Sequence, residues 1–141
     1  MMRLLRILTL LLGIGLVCSA RAEIVVVVNA ANPIESFSRR ELVDLYMGRT
    51  QSFSDGSMAL RLDMPPDSQV RGDFYRGLVN KSVAEVNAYW AKLLFTGRAS
   101  PPQVMDNSQN VLKAVRENKN AVGYIDSKDV DDSVKVVAKV N

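Results

Sequence analysis

Apolar and polar positions along this chain fall into blocks that switch between strand and helix periodicity. Ile24-Val25-Val26-Val27-Val28 is an unbroken β-branched run. A strand with one wet face would alternate, so an unbroken run reads as a strand buried on both faces, the central strand of a sheet with helices above and below. Asn29-Ala30-Ala31-Asn32-Pro33 ends it with turn formers. Ser38-Arg39-Arg40-Glu41 is a capping box preceded by Phe37, and the helix it starts carries Leu42, Val43, Leu45 and Tyr46 on one face before Gly48 stops it. Phe53-Ser54-Asp55-Gly56 is a turn.

The stretch from Met58 to Val79 organises the rest. Ala59, Leu60 and Leu62 with Arg61 and Asp63 between them predict a short strand, and Pro65-Pro66 forbids both ladder donation and helical continuation. Asp67 and Ser68 offer side-chain oxygens to cap a helix with Val70, Phe74 and Leu78 at helical spacing. Ser82-Val83-Ala84-Glu85 is a second capping box, opening a helix with Val86, Tyr89, Trp90, Leu93 and Leu94, which reads as packed against the sheet. Gly97 and Pro101-Pro102 close it, leaving Arg98 as a loop cation. A short helix with Val111, Leu112 and Val115 follows caps at Asp106 to Ser108. Ala121-Val122-Gly123-Tyr124-Ile125 is a strand whose Gly123 implies close approach by a neighbour or a ligand. In the last strand Val134, Val136, Ala138 and Val140 face one way, with Val137 blurring the alternation.

Interleaving of this kind predicts an α/β fold, an open and largely parallel sheet of about four strands sandwiched by about four helices. In such sheets ligands bind beyond the carboxyl ends of strands, beside helix N-termini. That rule gathers Asn29 to Asn32, Met64 to Arg71 and Tyr124 to Ser127 as the rim of a candidate site, with Arg98 and Tyr124 as further rim residues.

Composition narrows the chemistry. Residues 1–22 read as a signal peptide: Arg3 and Arg6 form its positive end, Leu8 to Val17 its apolar core and Ala20-Arg21-Ala22 its cleavage site. The expected product is a periplasmic chain, residues 23–141, forming one domain. The whole chain has 18 basic and 15 acidic side chains; Arg3, Arg6 and Arg21 leave with the signal, so the rest is balanced and nothing in its charge argues for nucleic acid. There is no histidine, and Cys18, the one cysteine, lies in the signal. Histidine-based hydrolysis, thiol nucleophiles and thiolate metal sites therefore fail on inventory, and no G-x-S-x-G or S-x-x-K is present. No enzyme activity, metal or cofactor is expected.

The ordered motifs carry a resemblance. A valine-rich strand ending in Asn29-Ala-Ala-Asn32-Pro33, a Leu-Val-Asp-Leu-Tyr-Met-Gly helix, Phe53-Ser-Asp-Gly56, Tyr89-Trp90-Ala91, Phe95-Thr96-Gly97-Arg98, Pro101-Pro102 and Ala121-Val122-Gly123-Tyr124-Ile125 together resemble the phosphate-type periplasmic substrate-binding proteins of ABC transporters, in a small single-lobe branch. The resemblance covers nearly all of Glu23 to Ile125. In two-lobed members a Ser-Gly-Thr run at a helix N-terminus holds the anion and an arginine a few residues earlier neutralises it. Carried over, the serine falls on Ser68, the glycine on Gln69, the threonine on Val70 and the arginine near Met64, with Arg71 as the nearest substitute.

The resemblance implies a solute-binding-like protein that takes phosphate or another small oxyanion weakly at the helix start formed by Ser68, Gln69, Val70 and Arg71, and works with a membrane transporter or sensor. A second wall would come from another protein, from a second copy of the chain in a homodimer, or from nothing at all. The alternative is a ligand-free accessory module that docks a membrane sensor or transporter through an apolar patch at Met64, Pro65 and Pro66.

Overall fold

The β-branched run does form a strand with two buried faces, though not the middle one. The computed structural model describes residues 22–140, so the expected signal peptide and its cleavage site lie almost wholly outside the described residues. In chain order the elements are β1 (Ile24–Asn29), α1 (Arg39–Tyr46), β2 (Leu60–Asp63), α2 (Gln69–Val79), α3 (Val83–Thr96), β3 (Gln103–Val104), α4 (Ser108–Glu117), β4 (Ala121–Asp126) and β5 (Val134–Val140), with one turn of 3-10 helix at Ser127–Asp129. They build an α/β fold with a five-stranded sheet in the order β3-β2-β4-β1-β5. β2 pairs parallel with β3 and with β4, while β1 pairs antiparallel with β4 and β5. Four strands therefore run one way and β1 alone runs against them, with β4 in the middle.

The reversed direction of β1 decides which loops can share a rim. Ile24 lies opposite Asp126 and Val28 opposite Val122, so the carboxyl end of β1 sits beside the amino end of β4. Leu60 lies beside Ala121 in the parallel β2–β4 pair, so Asp63 and Tyr124 share the other end. Asn29 and Asn32 are thus at the edge away from Ser68, and of the rim expected from a largely parallel sheet only Met64 to Arg71 and Tyr124 to Ser127 share an end. Their side chains are occupied there: Asn29 Nδ2 donates to the carbonyls of Val115 and Arg116, and Asn32 Nδ2 to that of Lys119.

Local chemistry holds the helices where the sheet needs them. Ser38 with Glu41 and Ser82 with Glu85 form the two expected capping boxes, each satisfying amides that have no carbonyl one turn behind them. α4 lies on the sheet with Val111, Leu112 and Val115 buried, and a Cβ on Gly123 would come within 2.6 Å of Val111 Cγ1. The close neighbour of Gly123 is a helix of the same chain. α3 packs on α2, not on the sheet as its spacing suggested: Trp90 is buried against Gly48 and Ala99, while Leu94 is half exposed. In β5 a bulge opposite Val26/Val27 resets the alternation, so Val134, Val137 and Val140 are buried and Val136 is not.

Candidate functional site

β2 delivers the chain to one end of the sheet, and the residues just beyond it form two distinct layers. The inner layer is polar yet closed to water. Asp63, buried at the end of β2, accepts from the Met64 amide at 2.8 Å, from the Tyr75 hydroxyl at 2.8 Å and from the Tyr124 hydroxyl. Phe74 stacks on Tyr124 with ring centroids 3.7 Å apart, and Tyr46 meets Phe74 edge-on. Burial, reinforced by the Asp63 charge, pushes the hydroxyls of Tyr46, Tyr75 and Tyr124 well above the ordinary phenol range. All three hold their protons at any physiological pH.

Arg71 belongs to this inner layer. Its side chain is only 6% exposed and its Nε lies 3.5 Å from Asp63 Oδ1. Nη2 donates to the Asn87 amide oxygen at 3.0 Å, the guanidinium lies 5.1 Å from the Tyr75 ring, and Nε and Nη1 have no hydrogen-bond acceptor. The pair with Asp63 is long but enclosed, which makes it costly to break. Arg71 is thus turned to Asp63 and Asn87 rather than standing free at the helix start.

The outer layer is the start of α2. Ser68 has extended backbone angles, φ −71° and ψ 129°, and its Oγ accepts from the Arg71 amide at 3.3 Å. Asp67, the other candidate cap, is exposed and takes no part in that bond. The Ser68 amide donates to the Pro65 carbonyl and the Gly72 amide to the Ser68 carbonyl. The amides of Gln69 and Val70, first and second in the helix, have no carbonyl behind them and point out of its positive end. Gln69 is exposed, its side chain donating to Asp73 Oδ1 at 3.0 Å, while Ser68 and Val70 are half buried. The arrangement can donate two backbone N–H bonds, and a third from the Ser68 hydroxyl, to an acceptor in front of the helix.

Two hollows of about 120 and 210 Å³ both open beside Phe37, and neither is lined by Ser68, Gln69, Val70 or Arg71. Among the sequence-derived site residues, Ser68 to Arg71 and Tyr124 lie at one end of the sheet, Tyr124 buried beneath. Asn29 and Asn32 lie at the other, and Arg98 is exposed in the loop after α3. Met64 is 2% exposed, so the apolar patch expected at Met64-Pro65-Pro66 is reduced to its two prolines. The Asp63–Tyr75–Tyr124 cluster went unnoticed in the sequence. Its one local signal is an aspartate at the last position of a short strand, just before Pro65-Pro66. Among the described residues no group of three or more acidic, histidine or cysteine side chains is placed to hold a metal ion.

No protein-family model and no curated protein matches the chain. Solved structures do. It is similar to a phosphate ABC transporter substrate-binding protein with bound phosphate from Clostridium perfringens, with a TM-score of 0.67 and 24% identity over 82% of this chain and 44% of that one. It is similar also to an ABC-type phosphate transport receptor from Vibrio cholerae, TM-score 0.66 and 22% identity over 82% and 45%. Against PstS from Borrelia burgdorferi the TM-score is 0.64 at 11% identity, over 83% and 47%. The chain has the fold of the phosphate-type substrate-binding proteins and spans less than half of their length.

Proposed function

We propose that this chain is an exported, solute-binding-like module that takes a small oxyanion of the phosphate class weakly at the start of α2 and works with a membrane transporter or sensor. The observation that carries the reading is the pair of unfulfilled amides at Gln69 and Val70, presented at an open helix end beside a serine hydroxyl, at the same end of the sheet as β2 and β4 terminate. The fold it shares with proteins named for phosphate transport supports the choice of ligand class. Nothing in the balanced charge or the missing histidine supports catalysis, so binding without turnover is the reading.

Weak binding follows from the geometry. The anion would be covered on one side only, and at about 4 Å a charge pair exposed to water is worth about 1 kcal/mol. Arg71 is already committed to Asp63 and Asn87, so the helix end is left without a free guanidinium. A dissociation constant of about 1 mM or weaker corresponds to such a half-site. Among the described residues no helix is long and apolar enough to cross a membrane, and the reading places the chain in the periplasm as an exported module. Titrating phosphate into isotopically labelled protein tests the location. The amide resonances of Gln69 and Val70 should shift most, in step with each other, while those of Asn29 and Asn32 stay still. Shifts confined to other residues would overturn the site.

A further inference from the structure

Two surface features stand apart from the helix start. Phe95, in the last turn of α3, is 94% exposed, and Leu94 beside it is 53% exposed. The residues that hold α3 in place, Val86 and Trp90, are buried, so the tip is not needed for packing. Lys92 and Arg98 flank it, both exposed, and no acidic residue occurs between Glu85 and Asp106. The tip is an apolar knob in a cationic surround.

The second feature is the larger of the two hollows. Its volume is about 210 Å³, its apolar lining is Phe37, Leu45 and Phe53, and Glu41 and Asp44 stand on its wall. Phe37 and Phe53 stack at 6.0 Å, and the volume of this open groove exceeds the about 150 Å³ of an enclosed apolar cavity that holds benzene. Asp44 is held only by Arg49 at 3.5 Å in an exposed pair, which leaves it able to change partners. The smaller hollow, about 120 Å³, is edged by Arg39 and Lys139 and would repel a cationic knob.

We propose that Phe95 of one copy docks into the Phe37–Phe53 groove of a second copy, with Lys92 and Arg98 facing Glu41 and Asp44. Knob and groove both neighbour the end of α1: Trp90 and Ala99 pack on Gly48, and Asp44 and Leu45 precede it. In a twofold pair each copy would offer its knob to the other's groove. A buried aromatic contributes roughly 150–250 Å², while a stable interface needs about 1,200–2,000 Å². Two phenylalanines with two leucines fall short of that, so the association is transient and weakens with salt.

Sedimentation equilibrium of the chain, purified as the cell delivers it, tests this. Concentration-dependent dimer is expected; Phe95→Asp should weaken it at least tenfold, Asp44→Lys and Arg98→Glu should each weaken it, and the two charge reversals together should recover it. Chains of residues 23–141, which carry no native cysteine, should form disulfides when Phe95→Cys chains are mixed with Ser54→Cys chains. A monomer at every concentration, a dimer indifferent to Phe95→Asp, or a monomer that binds phosphatidylglycerol vesicles through Phe95 would overturn the proposal.

Discussion

Asp63 and Arg71 bring opposite charges into a space nearly closed to water, and tyrosine hydroxyls, not solvent, complete the shell of the carboxylate. Removing one member of such a pair strands the other. Asp63→Ala is expected to cost about 3–5 kcal/mol in denaturant unfolding, far more than removal of an exposed carboxylate. Asp63→Asn, which keeps the shape and loses the charge, should cost less but still leave Arg71 unpaired. The sequence made Ser68 legible as a cap because a cap is a local matter, three residues from the amide it accepts. Tyr75 and Tyr124 were not legible as partners of Asp63. They lie 12 and 61 residues from it, and only the fold brings them together.

At the scale of elements, the close passage of α4 over β4 depends on Gly123. A methyl group there meets Val111 Cγ1 at 2.6 Å, so Gly123→Ala should destabilise by about 1–3 kcal/mol through overpacking, and pairing it with Val111→Ala should recover part of the loss. Thermal unfolding of the two single variants and the double variant checks this as a cycle. The Ser82–Glu85 box holds the Glu85 carboxyl below its ordinary range through hydrogen bonds from the Ser82 amide and hydroxyl. A depressed carboxyl contributes stability above its unfolded pKa and loses it as pH falls through the folded value. Glu85→Gln, which removes the titrating carboxyl, should therefore flatten the acid limb of the stability curve. The helices and their caps were readable because periodicity and capping residues are written consecutively. The direction of β1 was not, since an apolar run records burial and carries no sign of which way its neighbours point.

For the whole molecule, three tyrosine hydroxyls kept protonated by burial make the fold sensitive to alkali. Their folded pKa values are raised, so their contribution is fully present below the unfolded value near 10, declines above it, and is lost as pH rises through the folded values. Tyrosinate absorbance and loss of ellipticity should rise together in one cooperative alkaline transition; ionisation of these three hydroxyls well before unfolding would contradict their burial. The start of α2 lines neither of the two hollows beside Phe37, so the central claim is that two backbone amides there hold an oxyanion. Gln69→Pro addresses this directly. Proline is tolerated at the first helical position, Ser68 already has the extended angles that a residue before proline needs, and only the Gln69 N–H and its surface side chain are lost. Calorimetric titration with phosphate at fixed ionic strength should give saturable heat in the millimolar range for the parent chain and several-fold weaker binding for Gln69→Pro at an unchanged melting temperature. Equal binding by the two, or no heat from either, would contradict the account.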